Sequence, residues 1–177
     1  MREPAYRLSI LTKSDLVLRD LDLLTQMDCV VQFSIAVLYN KIQRVVEPQA
    51  PSTKRRLDAI RILEAGGVKT SVRLKPVLPF DLACVKDIVD IAAEVTSGKI
   101  YVQGIDIGKP YLFRIAEIAQ QYFPDKLERW LSQPEKIAEE RAELVSFLKH
   151  HERVHYERID DAYISARQQI AQANFRE

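Results

Sequence analysis

His151-Glu-Arg-Val-His155 is the run whose residue types and spacing most directly suggest chemistry. On a helix, histidines four residues apart share a face and can chelate zinc, while Glu152 serves as general base on the bound water. Asp161 falls where some extended zinc-protease motifs place a third ligand. Arg158, however, stands where those motifs need a glycine to turn the chain. A solvated polar helix face with i,i+4 neighbours such as Arg153 and Glu157 accounts for the same residues more simply. The zinc set of His151, His155 and Asp161 is therefore a runner-up.

A second set lies in Ile10-Leu-Thr-Lys-Ser-Asp15, an apolar run that ends in a polar cluster and passes into an amphipathic segment. That order puts Thr12, Lys13 and Ser14 at the carboxyl end of a strand, where α/β proteins place ligand chemistry. Asp106 stands at the end of the fourth strand candidate, on the functional side of a barrel. Lys54-Arg55-Arg56 reads as the solvated first turn of a helix, with contact to a phosphate as the alternative. Arg19, one turn after Asp15, is placed for a local ion pair. Cys29 and Cys84 form no CxxC pair and lie in apolar surroundings, so both read as small buried thiols. Neither a phosphate-cradling glycine loop nor a Ser-His-Asp constellation is evident.

Alternating elements must position these residues. Four segments rich in β-branched and apolar residues, at 6–11, 30–35, 70–74 and 100–105, are separated by helical patterns. A helix is expected over 16–27, capped by Ser14 or Asp15, with Leu21, Leu24 and Met27 facing inward. A short helix follows near 40–46, and another spans 53–65, capped by Ser52, striped by Leu57, Ile60 and Leu63, and ended by Gly66. Asp81 caps the next, with Val85, Ile88, Val89 and Ala92 on one face. Pro110 opens a fifth, with Ile115, Ile118, Ala119 and Tyr122 on a face. Trp130 with Tyr122 and Phe123 should seal that helix. Residues 134–156 and 160–174 read as two charged helices, with no strand candidate after about residue 123.

Strand–helix alternation predicts right-handed crossovers and a parallel sheet. The expected fold is α/β: an incomplete parallel (β/α) barrel of about four strands over residues 1–125, with a helical extension over 126–177. The 177 residues suit one such domain and are 47% hydrophobic. With 26 basic and 25 acidic side chains, the chain is no strongly electropositive nucleic-acid binder, although a local basic groove is compatible with it. No apolar run approaches a membrane span and the amino terminus lacks a signal-peptide core, so the cytoplasm is the expected compartment.

Three stretches carry a resemblance. They are Ile10-Leu-Thr-Lys-Ser-Asp-Leu-Val-Leu-Arg-Asp-Leu-Asp-Leu-Leu24, Glu47-Pro-Gln-Ala-Pro-Ser-Thr-Lys-Arg-Arg-Leu57 with Glu64-Ala-Gly66, and Lys75-Pro-Val-Leu-Pro79. Together, and in this order, they resemble the spore photoproduct lyase-like, DNA-repair branch of the radical S-adenosylmethionine (SAM) superfamily. Its second stretch reads E-P-G-A-P-S-x-x-x-R-L. The resemblance implies a partial (β/α)₆ barrel in which SAM chelates a [4Fe–4S] cluster held by Cys-x₃-Cys-x₂-Cys. In this register the first strand here corresponds to the family's third, so the cluster loop and the acidic SAM-binding turn have no counterpart.

The resemblance further implies that Lys13 meets the SAM carboxylate and Ser34 donates a hydrogen bond to SAM. The structural alternative is a solvated strand-end charge and a satisfied hydroxyl. Departures from the family pattern fall at Ala36-Val37, Gln49, Lys75 and Phe80. The expected function is thus a truncated or split radical SAM domain that is not catalytic alone. The alternatives are an interaction module using the open edge of the first strand and the zinc hydrolase. Expected partners are an amino-terminal half or a second copy at that edge. Nucleic acid follows from the resemblance only, and no membrane is implied.

Overall fold

A computed structural model describes residues 7–36, 38, 40–78, 81–104, 109–157, 168 and 170–171. The chain is α/β, with a five-stranded parallel sheet in the order β1-β2-β3-β4-β5. The strands are β1 (Leu8–Thr12), β2 (Cys29–Ser34), β3 (Lys69–Val77), β4 (Ile100–Gly104) and β5 (Val154–Glu157). The helices are α1 (Leu21–Leu24), α2 (Asn40–Val46), α3 (Thr53–Ala65), α4 (Leu82–Val95), α5 (Lys109–Tyr122), α6 (Pro124–Ser132) and α7 (Pro134–Lys149). No helix among the described residues is long and apolar enough to cross a membrane.

The fold separates into two compact units, Met1–Leu74 with Ile88–Tyr101, and Lys75–Asp87 with Val102–Glu177. In the first, β1 pairs with β2 and β2 with β3, so that Ser9, Val30 and Lys69 form one row across the strands and Gln32 and Ser71 share another. Side chains alternate across a strand, so these rows share one face of the sheet. The intervening positions Val31, Phe33 and Val72 are fully buried, as are Ile60 and Leu63 of α3. Ser52 caps α3 by accepting from the Arg55 amide. Gly67 turns the chain out of the helix at φ +83°, a conformation without steric cost only for glycine.

The segment between β1 and β2 departs from the expected helix. A 3₁₀ helix at Asp15–Asp20, capped by Ser14, leads into the single turn of α1. Leu24 is buried, but Met27 is half exposed. Two hydrogen-bonded turns of different pitch rotate the apolar positions off one continuous stripe.

In the second unit, Trp130 is buried with Leu78, Ala119, Leu127 and Ile170, and Phe123 packs alongside. Tyr122 instead lies exposed. Proline opens both α6 and α7, where its missing N–H costs nothing. Lys126 donates to Asp81 Oδ1 (2.7 Å) and sits 5.3 Å from the Phe123 ring centroid. The helix expected over 134–156 ends at Lys149, and β5 follows, so a fifth strand joins the four read from sequence. Of the expected helix over 160–174, only residues 168 and 170–171 lie among those described, and they are helical.

Candidate functional site: a charged cluster at the strand ends

Lys13 follows β1 directly. The turn that holds it is closed by the Ser14 amide donating to Thr12 Oγ1 (2.9 Å), and Ser14 Oγ in turn accepts from the Leu16 amide (3.2 Å). Lys13 Nζ lies 2.8 Å from Glu47 Oε1. Glu47 sits just past α2, in a loop pinned by Gln43, whose Nε2 donates to the Glu47 and Ala50 carbonyls (3.1 and 3.0 Å). The Glu47 side chain is only 5% exposed.

Arg56 completes the cluster. Its guanidinium is fully buried and donates to the Pro51 carbonyl (2.9 Å), the Ser34 carbonyl (2.8 Å) and Glu47 Oε2. A buried guanidinium needs a counterion and hydrogen-bond acceptors, and here each of its three nitrogens donates to an acceptor, one of them the Glu47 carboxylate. The sequence expectation of a solvated Lys54-Arg55-Arg56 turn therefore holds only in part. Lys54 pairs with Asp58 one turn on, and Arg55 reaches Asp15, but Arg56 points inward. Thr53, Arg56, Leu57, Ile60 and Leu63 are all buried on α3, so the helical spacing already places Arg56 on the apolar stripe. Arg19, expected beside Asp15, pairs with its neighbour Asp20 instead (2.9 Å).

The electrostatics are simple. Lys13 and Arg56 share one carboxylate, leaving one uncompensated positive charge. Lys13 is the member in water, 50% exposed, and its Glu47 contact orients the ammonium. Such an arrangement suits recognition of an anionic group by a pre-oriented ammonium. Ser34, expected beside Lys13, ends β2 and is buried; its carbonyl rather than its hydroxyl joins this cluster.

The runner-up metal set is not on one helix. His151 follows the end of α7 and stacks edge-on with Phe147 at 5.4 Å, Glu152 and Arg153 form a turn, and His155 lies on β5. The helical face on which the zinc argument depended is therefore not formed. Asp161 and Asp106 lie outside the described residues. Among those described, no three His, Cys, Asp or Glu side chains gather as a metal site would require. Cys29 and Cys84 are both buried, and burial, with Asp28 adding to it, pushes the Cys29 thiol above its ordinary value. Two separated, buried thiols do not fit the three closely spaced thiolates of a [4Fe–4S] cluster.

Comparison with known proteins yields relatives but no function. The chain is 40% identical over 85 residues to the uncharacterised protein MJ0683 of Methanocaldococcus jannaschii, a match covering 48% of this chain and 30% of that protein. It is also 40% identical over 72 residues to the uncharacterised protein ORF301 of Acidianus two-tailed virus, covering 40% and 24% respectively. The matched stretches thus span less than a third of either relative. No family model and no solved structure matches the chain.

Proposed function

We propose that the chain is part of a radical SAM-type β/α barrel similar to the spore photoproduct lyase-like branch. In this reading it binds SAM, or a compound bearing the same amino-acid carboxylate, at Lys13, and performs no radical chemistry with its own cysteines. One observation carries the reading. Lys13 belongs to the first resembling stretch and Glu47 and Arg56 to the second, and these three side chains meet in one ion-paired cluster. Glu47 and Arg56 occupy the two charged positions of the E-P-G-A-P-S-x-x-x-R-L pattern. Their pairing gives those positions a shared task, which is to hold Lys13 at the strand end.

Calorimetric titration with SAM tests the proposal. Saturable binding is expected, weakened about tenfold or more in Lys13→Ala, the scale of a lost charge-assisted hydrogen bond. Absence of SAM binding, or binding indifferent to Lys13→Ala, sinks it. Anaerobic reconstitution should leave iron and sulfide well below cluster stoichiometry. A stoichiometric cluster would overturn the cluster-free part of this reading.

The position of β1 favours a second reading. Among the described strands it ends the sheet, with Leu8 39% and Leu11 55% exposed. An unpaired strand edge invites another strand. The occupant proposed here is the amino-terminal half of the same barrel type, in keeping with the greater length of the relatives. Sedimentation of a mixture with the corresponding amino-terminal segment of such a relative should show a complex that Leu11→Lys abolishes. A sedimentation profile unchanged by the segment would exclude it.

A further inference from the structure

At the amino ends of the same strands lies a cavity of about 590 Å³. Arg7, Lys69 and Lys99 line it, together with Ser71, Val30 and Tyr101, and among the described residues no carboxylate does. Two acids stand nearby. Asp28 approaches Arg7 at 3.8 Å across an exposed pair, and Glu64 accepts from the Thr70 amide (3.0 Å) and hydroxyl. Counting both, three cations face two carboxylates, and positive charge remains in excess.

The cavity is built rather than accidental. A Cβ on Gly98 would come 1.9 Å from the Thr70 carbonyl oxygen, so glycine alone lets the loop before β4 lie against β3. That approach brings Lys99 to the same cavity as Lys69. Ser71 is 3% exposed and lines the cavity, yet its Oγ finds no hydrogen-bond partner among the described residues. A buried hydroxyl without a partner costs stability unless something supplies one.

We propose that this cavity binds a small organic phosphate. A phosphate monoester is close to dianionic at neutral pH and offers three acceptor oxygens, which matches several cations and a free hydroxyl better than a single carboxylate does. The volume falls within the range of about 300–1,000 Å³ typical of small-molecule sites. Val30 and Tyr101 give the organic part an apolar and aromatic wall. The site is separate from Lys13 and independent of the SAM proposal.

Titration of the full chain with adenosine monophosphate, ribose 5-phosphate and inorganic phosphate provides the test. At least one ester should bind saturably and about tenfold more tightly than inorganic phosphate, with affinity falling as salt is raised. Lys69→Ala combined with Lys99→Ala should weaken that binding about tenfold or more. Ser71→Ala should weaken it several-fold without loss of thermal stability, because it removes an unpartnered hydroxyl. Lys54→Ala, remote and already paired with Asp58, should bind like the parent. The proposal is overturned if neither ester binds, if inorganic phosphate binds as tightly, or if the double lysine variant and Ser71→Ala both bind as the parent does. SAM titration of the same double variant should be unchanged, which separates failure here from failure at Lys13.

Discussion

Both ends of the strands in the first unit collect cations, but among the described residues only one end buries a carboxylate between them. At the carboxyl ends, Glu47 stands between Lys13 and a fully buried Arg56, whose guanidinium also donates to the Pro51 and Ser34 carbonyls. At the amino ends, Arg7, Lys69 and Lys99 line a cavity that, among the described residues, has no lining carboxylate and no partner for the Ser71 hydroxyl. The first arrangement converts charge into rigidity, since a buried ion pair fixes the geometry around it. The second leaves positive charge in excess around an open cavity.

The largest expected effect tests the rigid end. Arg56→Met should destabilise the chain by about 3–5 kcal/mol in urea unfolding, because it strands the buried Glu47 carboxylate with only Lys13 for company. Pairing it with Glu47→Gln should recover part of that loss. If Arg56→Met alone were neutral, the cluster would not be the anchor that the comparison makes it.

Gly98→Ala comes next. It forces a Cβ into the Thr70 carbonyl, and should cost about 1–3 kcal/mol while weakening any ligand of the amino-end cavity. A variant of parental stability would mean that the loop can step aside, and the cavity would lose its claim to a built wall.

Lys13→Ala should cost no more than about 1 kcal/mol, since its charge is half in water and Arg56 still holds Glu47. A larger loss would make Lys13 a structural member like Arg56 and remove the contrast between binding and holding within the same cluster.

The smallest effect is a slope. Burial pushes the Glu64 carboxyl up, but hydrogen bonds from Thr70 and Ser97 outweigh it and hold its pKa below the ordinary carboxylate value. A carboxyl whose pKa is lowered on folding contributes stability that is complete above its unfolded pKa, near 4.3, and is lost as pH falls through its folded value. Glu64→Gln should therefore flatten the acid limb of stability measured from about pH 5 downward. An identical acid limb in both proteins would show that Thr70 and Ser97 do not favour the ionised form.

Parts of this arrangement were legible in the residues. Ser52 as cap and Leu57, Ile60 and Leu63 as stripe were expected from spacing, and α3 forms as they imply. Lys13 at a strand end was equally visible, because a run of apolar residues broken by Thr12-Lys13-Ser14 is a local event. Glu47 and Arg56 stood in the second resembling stretch, and Arg56 shared the stripe's spacing. Its charge argued for solvent, and only knowledge of a buried carboxylate could outweigh that. Arg19 choosing Asp20, and Arg55 reaching Asp15 across 40 positions, follow from side-chain reach in three dimensions. The amino-end cavity left no linear trace, since Arg7, Lys69, Ser71 and Lys99 are brought together by strand pairing alone.

His151-Glu-Arg-Val-His155 marks the boundary between the two kinds of knowledge. Its letters fit a helix, but α7 stops at Lys149 and the chain joins the sheet as β5, where pairing with a neighbouring strand outweighs a weak local preference. By itself the sequence determined the alternation of strands and helices, the caps, most of the apolar stripes and the two buried thiols, because each depends on neighbours within a turn or two. The tertiary structure alone decided which charges meet, which are left open and which apparent motif dissolves. Those outcomes depend on distances between residues far apart in the chain, and on whether a counterion waits where a charge is buried.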